Sequence, residues 1–546
     1  MTLDQDTAWW RGAVCYQIYP RSFQDSNGDG IGDLEGIIAR LDYLNDGTDA
    51  SLGIDAIWLS PTFPSPMKDF GYDVSDYEGV APEFGDIATM DRLIAACHAR
   101  GIRVLLDLVP CHSSDQHPWF IESRSSRTSA KRDWYYWRDP KAGEPGELPT
   151  PPNNWRAVFG GPAWEFDATT GQYYLHSFLV EQPDLNWRNP EVVAAMHGVL
   201  RFWFERGVDG FRIDALGMLL KHPEMPDNPE NTKWKPGDRD ANRVIWRWNR
   251  DWPDLFEAVA GMRAVFDEYP GTMAVGEVFG RPETLARYIG TPEAPGLHLA
   301  FNFQFIGADG AHTPWDAGAF RAIVQAYTPA IPEGGYPCYA FGNHDRSRFI
   351  SRHNADGRGA ERAHAAALLL LGLRGAPFLY YGEEIGMADT AIPEARLRDP
   401  SRFLWEGRDP ERTPMQWDAS AQRGFSTGEP WLPFGPAAIN VASQLSDRNS
   451  LLALYRRAIQ ARKREPALHA GDETVIGDDP DVFVVMRRHP AGLGIVVAVN
   501  TATAPKALPM SVIGGEVLLC SDRRLEGVRI RGAFALPALG AVWIAL

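Results

Sequence analysis

The sequence predicts an α/β protein: a (β/α)8 barrel, or TIM barrel, with a subdomain inserted after the third strand and a C-terminal β-sandwich. Short apolar strands alternate with helix-period segments over most of the 546 residues, which is the pattern of a parallel β/α architecture. A stretch rich in Trp, Pro, Gly and Asn interrupts this alternation between the third and fourth strands. Near the C-terminus the alternation gives way to short strands and turns, so a separate β-domain is expected there.

Eight segments have the length and apolar composition of buried strands. Strands are predicted at residues 13–20, 54–61, 102–109, 208–214, 273–278, 297–305, 338–344 and 377–382. Helix-period segments lie between or after them, among them residues 33–44, 86–100, 190–205, 360–373 and 450–464. Eight strand-helix units are what a (β/α)8 barrel requires, and active sites in that fold lie at the C-terminal ends of the strands.

The chain is expected to form three parts. The catalytic barrel comprises residues 1–110 and 183–463. Residues 111–182 are too many for a barrel loop, so they are interpreted as an inserted subdomain, subdomain B, that lies over the barrel mouth. Residues 464–546 contain short alternating strands and turns and are predicted to form the β-sandwich.

Composition excludes several classes of partner. The net charge of -17 argues against nucleic acid and against anionic membranes, because both favour basic patches. The five cysteines are widely scattered, which indicates a reducing compartment and no disulfide framework. The N-terminus lacks the features of a signal peptide, and no apolar run approaches the length of a membrane span. A cytoplasmic protein with a small neutral substrate is therefore expected.

Three predicted strands end in a carboxylate. Arg212 and Asp214 lie two residues apart at the end of the fourth strand, on the same side and about 7 Å apart along it. The guanidinium can hold the carboxylate ionised and oriented. Taken alone, this pair could be a structural ion pair. Glu277 and Asp345 follow two further strands in the same way, and three such carboxylates favour an active site at the barrel mouth.

Five segments of the chain match motifs of one enzyme family. They read DLVPCH at 107–112, QPDLNW at 182–187, GFRID at 210–214, GEV at 276–278 and NHD at 343–345. On these segments the chain resembles the α-amylase superfamily, glycoside hydrolase family 13, along essentially its whole length. Within that family it is most similar to the exo-acting α-glucosidases and oligo-1,6-glucosidases.

This resemblance implies a role for each carboxylate. Asp214 would be the nucleophile that forms a covalent glucosyl-enzyme, and Glu277 the acid that protonates the leaving oxygen and then activates water. Asp345 would bind the sugar hydroxyls and stabilise the transition state. A retaining mechanism needs two carboxyls about 5 to 5.5 Å apart, which neighbouring strands about 4.8 Å apart can supply. Arg212 is expected to favour the anion of Asp214, whereas Glu277 has no sequence-adjacent cation.

The resemblance also implies a pocket for one terminal glucose. In the segment 69–73, DFGYD, the matching Tyr72 would stack under the sugar. The matching Asp73 would bind its far hydroxyls, paired with Arg412. The further residues matched to this pocket are His112, Phe159, Phe178, Gln182, Arg212 and His344. The alternatives are a turn-rich surface loop at 69–73 and two ordinary core histidines.

A loop after the first strand carries oxygen ligands at every second residue. Its side-chain oxygens come from Asp25, Asn27, Asp29 and Asp33, and the family resemblance implies the carbonyl of Ile31 as a further ligand. The loop is not an EF-hand, because Gly36 stands where the bidentate glutamate is required. The resemblance implies a structural Ca²⁺ here and no organic cofactor; the alternative is an unmetallated Asx-rich turn. Cys111 replaces an asparagine that is common in the family, so a second calcium site is predicted to be absent.

The expected activity is a retaining, exo-acting α-glucosidase that acts on small oligosaccharides or other α-glucosides, with transglucosylation left open. Ala215 after the nucleophile favours α-1,4 bonds, because oligo-1,6-glucosidases typically carry valine there. The nearest alternative is a sucrose or trehalose isomerase, or a glucosyltransferase, of the same superfamily. A more remote alternative is a non-catalytic relative of the transporter-associated type, which would need no complete set of three carboxylates.

Overall fold

The structure is a computed structural model that describes residues 8–141, 150–307, 312–403, 407–492, 494–508 and 514–546. Its centre is an eight-stranded sheet in which every pairing is parallel. In chain order the barrel strands are Cys15–Ile18, Ala56–Leu59, Arg103–Leu108, Gly210–Ile213, Met273–Gly276, Leu299–Ala300, Cys338–Ala340 and Ala376–Tyr380. A parallel bridge between Asn302 and Tyr339 joins the two edge strands and closes the barrel. The predicted barrel is therefore confirmed, with strands shorter than expected.

Thirteen α-helices are assigned in the described residues. They are Leu34–Ala39, Leu41–Leu44, Ile87–Ala99, Pro118–Ser125, Pro190–Glu205, Leu255–Asp267, Pro282–Ile289, Ala317–Ala330, Phe349–Arg352, Gly359–Gly372, Val441–Leu445, Leu451–Arg464 and Pro466–His469. Side-chain caps fix several starts; Asp86 and Ser450, for example, each accept a hydrogen bond from a first-turn N–H. The single helix predicted at 33–44 is two helices, because the backbone of Arg40 leaves helical geometry at φ -107° and ψ 4°.

Two further sheets lie outside the barrel. Between the third and fourth barrel strands, Trp137–Arg138, Gln172–Leu175 and Trp164–Asp167 form an antiparallel sheet in that spatial order. The C-terminal region has a six-stranded antiparallel sheet, in spatial order Asp472–Val475, Val482–Arg488, Ile495–Asn500, Ala541–Ala545, Gly515–Cys520 and Arg529–Ile530. Short pairs join Lys506–Ala507 to Ala535–Leu536 and Gly290–Thr291 to Ala294–Pro295. This arrangement agrees with the predicted fold class; the limits of the three parts remain predictions.

Two fully buried arginines bind the C-terminal end of one barrel helix: Arg462 from the helix Leu451–Arg464, and Arg487 from the C-terminal sheet. Arg462 and Arg487 donate to carbonyls at the end of the helix Gly359–Gly372, including those of Leu371 and Gly372. The last carbonyls of a helix have no partner within it, so these guanidinium groups satisfy acceptors that would otherwise be buried unpaired. Within the described ranges, no helix combines the length and apolar character needed to span a membrane.

Candidate active site

The predicted carboxylates lie at the C-terminal ends of barrel strands. Asp214 and Glu277 follow neighbouring strands, and the Glu277 N–H continues the ladder by donating to Ile213. Asp345 lies in the loop after the seventh strand. All three side chains are largely buried, with Asp345 the most exposed at 27%. The barrel topology therefore brings together residues more than 60 positions apart in the sequence.

Arg212 lies at the centre of a cluster of three carboxylates, those of Asp107, Asp214 and Glu277. Its Nη1 lies 2.6 Å from Asp214 and 2.8 Å from Asp107, and its Nη2 lies 3.0 Å from Glu277. Glu277 has no cation beside it in the sequence, but the fold gives it one in Arg212. The two strands pair in parallel, so Glu277 reaches the same guanidinium that the sequence places only beside Asp214. Arg212 contacts both carboxylates and does not distinguish Asp214 from Glu277.

The charge balance of the cluster favours a retained proton. Three buried carboxylates face one guanidinium, and burial disfavours uncompensated charge. Burial raises the pKa of Asp214 well above its usual range and that of Asp107 to about 6, although Arg212 acts in the opposite direction on both. For Asp345 burial is outweighed by Arg408 and neighbouring cations, and its pKa falls below the usual range. One proton shared among these three carboxylates leaves two ionised, so a carboxylic acid can stand beside an ionised carboxylate, as acid catalysis with a nucleophile requires.

Neutral polar side chains matched to the expected sugar pocket lie beside this cluster. The Tyr72 hydroxyl lies 2.9 Å from Asp107 and 2.7 Å from His344 Nε2, and the Tyr72 and His344 rings are parallel at 5.4 Å. His112 Nε2 lies 3.0 Å from the Tyr72 carbonyl oxygen and 3.1 Å from Gln182 Nε2. Burial lowers the pKa of His112 to about 4 and holds that of His344 well below its usual range, so both imidazoles are neutral at pH 7. Such a lining suits a neutral polyol.

Aromatic rings from the inserted segment form another side of this pocket. Phe178 packs against His112 with ring centroids 4.9 Å apart, and Phe159 lies 6.0 Å from Phe178. Arg408 lies over the Phe159 ring at 5.2 Å. His112 Nδ1 is buried and has no hydrogen-bond partner among the described residues. The inserted segment thus contributes apolar walls beside an unpaired polar atom, an arrangement suited to a sugar.

The aspartate that lies beside the other residues of the expected pocket is Asp69 and not Asp73. The Asp73 carboxylate faces its own loop, where it accepts bonds from the Ser65 hydroxyl and from the backbone N–H groups of Lys68 and Asp69. Asp69 instead accepts a bond from Gln182 at 3.2 Å. The reason is the backbone between them, since Phe70 and Gly71 have φ angles of 47° and 104° that reverse the chain.

The arginine partner also differs from the expectation. Arg412 does not pair with Asp73; it donates to the His344 carbonyl at 2.8 Å and to Asp345 at 2.9 Å. The arginine paired with Asp69 is Arg408, whose Nη2 lies 2.6 Å from it. Nη1 of the same residue lies 3.1 Å from Asp345. The sequence offered a weak signal for both missed residues: Asp69 opens the DFGYD segment, and Arg408 lies four positions before Arg412.

The predicted calcium loop is folded by its own hydrogen bonds. Side-chain oxygens of Asp25, Asn27 and Asp29 each accept the N–H two residues ahead, which makes three successive Asx turns. The two oxygens of Asp33 accept from Gly36 and Ser26. An oxygen-only, anionic donor set fits a hard cation. Asp25, Asn27, Asp29, the Ile31 carbonyl and Asp33 are the groups that would hold it.

A second group of ligand-type side chains lies near the pocket. Ligand atoms of Cys111, His112 and Asp184 lie within 4.8 Å of one another, and all three residues are buried. However, the Lys221 ammonium lies 2.6 Å from Asp184, and both side chains are fully buried. Asp184 is therefore already neutralised by a cation of the chain itself. This geometry supports the prediction that a second calcium is absent.

Comparison with known proteins places the chain in a family. Residues 17–471 match the family model described as alpha amylase, catalytic domain. A probable alpha-glucosidase of Rhizobium meliloti (strain 1021) is 45% identical over 503 residues, covering 89% of this chain and 88% of that protein. An oligo-1,6-glucosidase of Heyndrickxia coagulans is 40% identical over 530 residues, covering 90% and 92%.

A solved structure extends the likeness to the fold. The crystal structure of trehalulose synthase MutB from Pseudomonas mesoacidophila MX-45 superposes with a TM-score of 0.86 at 34% sequence identity. The match covers 98% of this chain and 99% of that chain. Together with the closed parallel barrel, these matches show that the chain belongs to the α-amylase family, glycoside hydrolase family 13, and is a glycoside hydrolase.

Proposed function

We propose that the protein is a retaining, exo-acting α-glucosidase that releases glucose from the non-reducing end of short α-glucosides. The observation that carries this proposal is the ion-paired wall formed by Asp69, Arg408 and Asp345. Charged and buried side chains that bind one another leave little room for a chain to continue past the first sugar. A polymer interior would therefore be a poor substrate.

The proposed reaction has two steps that use the Arg212 cluster. Asp214 attacks the anomeric carbon while Glu277 gives its proton to the leaving oxygen, and a glucosyl-enzyme forms. Glu277, now ionised, takes a proton from water, which displaces Asp214 and regenerates the starting state. Contact of both carboxyls with one guanidinium supports the short separation that retention needs.

The proposed preference for α-1,4 bonds rests on Ala215. Its backbone lies in the left-handed region, with φ 45° and ψ 33°, and its N–H donates to Glu277 Oε2 at 3.0 Å. A β-branched residue is disfavoured in that conformation. The small side chain therefore supports both the backbone turn that binds the acid and space for the leaving group beside it.

We further propose a structural Ca²⁺ in the loop of residues 25–33 and a reducing, cytoplasmic location. The ion would stabilise the folded barrel and take no part in the reaction. It would also brace a second segment, since Asp25 is bound by Ser426 and by the backbone of Phe425. All five cysteines are free and buried, which supports a reducing compartment.

One experiment separates this function from its nearest rival. The enzyme is incubated with maltose, isomaltose, sucrose, trehalose and p-nitrophenyl α-glucoside, and all products are separated by chromatography. We expect free glucose from maltose and from the p-nitrophenyl substrate. The likeness to trehalulose synthase makes sucrose isomerisation the second candidate. Conversion of sucrose to an isomeric disaccharide, without equivalent free glucose, would favour that candidate.

A further inference from the structure

Arg408 makes contacts on both sides of the sugar pocket. Its guanidinium binds Asp69 in the loop after the second strand and Asp345 in the loop after the seventh. The side chain is only 9% exposed, so solvent does not hold it in place. An arginine has several rotatable bonds, so its position must be set by the protein groups that contact it.

Asp399 is the group that holds this arginine. Its carboxylate accepts bonds from Arg408 Nε at 3.0 Å, from Nη2 at 2.7 Å and from the Arg408 backbone N–H at 2.6 Å. The Asp399 side chain is fully buried, and the Ser401 hydroxyl and N–H bind the same carboxylate. Bidentate contact through Nε and Nη2 fixes the plane of the guanidinium as well as its location.

The charges around Arg408 explain why a third carboxylate is needed. Asp69 and Asp345 both attract the guanidinium, and each belongs to the pocket wall. Without a counter-anchor, the arginine would be free to shift towards one of them and lose the other. Asp399 binds the guanidinium from the side away from the pocket, so that Nη2 still contacts Asp69 and Nη1 still contacts Asp345. Burial acts to raise the pKa of Asp399, yet Arg408 outweighs it and keeps the carboxylate ionised.

We propose that Asp399 is a positioning residue that fixes Arg408 in the plane required to bind the terminal sugar. This inference rests on the proposed glucose pocket and adds to it a residue outside the five sequence motifs. It applies to any reaction that begins by binding an α-glucosyl unit in this pocket, whether water or a sugar accepts that unit.

The test uses a matched pair of buried aspartates in one loop. Asp399→Asn removes the bidentate anchor. Asp409→Asn is the control, because one Asp409 oxygen accepts the N–H groups of Arg398 and Asp399, which an amide oxygen can still do, and the other oxygen has no hydrogen bond to lose among the described residues. The inhibition constant of glucose, KM and kcat are measured with p-nitrophenyl α-glucoside, and folding is checked by circular dichroism and thermal unfolding.

We expect Asp399→Asn to raise the glucose inhibition constant and KM at least tenfold, while Asp409→Asn stays within twofold of wild type. A purely structural role would lower the active fraction, and hence kcat, without changing either constant. A double-mutant cycle with Arg408→Lys gives a second readout. Because Asp399 acts through Arg408, the losses in kcat/KM should be far from additive.

Two results would overturn the proposal: a folded Asp399→Asn variant with unchanged glucose inhibition, or full additivity with Arg408→Lys. If Asp399→Asn does not fold, Asp399→Glu is tested in its place. This variant keeps the negative charge but moves the two carboxylate oxygens that bind Arg408. That variant should keep kcat near wild type and raise the glucose constant, and an unchanged constant would also overturn the proposal. Failure of the proposed function is distinguishable, since the wild type would then release no p-nitrophenol, or would release it without an equivalent amount of free glucose.

Discussion

Asp69 and Asp73 lie in one loop, yet the structure predicts opposite consequences for the same substitution. Asp69→Asn removes the negative charge that binds Arg408 at 2.6 Å in a site from which solvent is excluded. A hydrogen bond from a sugar hydroxyl to a charged group contributes about 1.5 to 3 kcal/mol. Loss of one such bond lowers kcat/KM by about 10- to 100-fold. Stability should change little, since Asp345 and Asp399 still neutralise Arg408.

Asp73→Asn should instead reduce stability. The fully buried Asp73 carboxylate accepts bonds from the N–H groups of Lys68 and Asp69 and from the Ser65 hydroxyl. An amide has one oxygen, so at least one buried donor loses its partner. Each such loss costs about 1 to 3 kcal/mol of unfolding free energy. In the molecules that remain folded, kcat/KM should stay near the wild-type value.

Urea unfolding and steady-state kinetics on p-nitrophenyl α-glucoside measure both effects on the same preparations. The geometric assignment predicts a kinetic loss at Asp69 and a stability loss at Asp73. It would be refuted by the reverse pattern, in which Asp73→Asn raises KM tenfold at unchanged stability and Asp69→Asn keeps its kcat/KM.

Four further predictions concern the reaction, pH, metal and linkage. Asp214→Asn should lower turnover by several orders of magnitude with the fold retained. Glu277→Gln should still react with α-glucosyl fluoride, because this substrate needs little acid catalysis to lose its leaving group. Normal rates in Asp214→Asn would contradict the assignment. Burial raises the pKa of Asp107 to about 6, so kcat/KM should fall as pH drops through about 6 and the carboxylates beside Arg212 take up a second proton. A pH profile that stays flat down to pH 4 would contradict this. Chelation should lower the Tm, with recovery on adding Ca²⁺, because an ion that binds only the folded state stabilises it; an unchanged Tm would argue for the unmetallated turn. Maltose should be cleaved roughly tenfold faster than isomaltose, and Ala215→Val should shift the ratio towards isomaltose, whereas a wild type that already prefers isomaltose would refute the role of Ala215.

The barrel and its strand-end carboxylates could be predicted from the sequence, because periodicity and topology determine them. All eight predicted strands pair as expected, and a parallel barrel brings Asp214 and Glu277 together by construction. Contacts between strands are harder to foresee. The sequence shows Arg212 beside Asp214, but only the parallel register shows that Glu277 shares the same guanidinium.

Loop geometry accounts for what the sequence missed. Whether Asp69 or Asp73 faces the pocket depends on the positive φ angles at Phe70 and Gly71, and no pattern of residue types specifies that turn. Likewise, the bidentate contact between Arg408 and Asp399 joins residues nine positions apart, and no periodic pattern of the sequence predicts it. Motif matching found Arg412, whereas the partner of Asp69 lies four positions earlier.

The most direct test of the proposed function is the anomeric form of the glucose first released. The enzyme is mixed with maltotriose, and proton NMR spectra are recorded within the first minutes, before mutarotation mixes the anomers. A retaining, exo-acting α-glucosidase built on Asp214 and Glu277 should release α-glucose first, with β-glucose appearing only at the rate of mutarotation. Initial release of β-glucose, or consumption of maltotriose without free glucose, would contradict it.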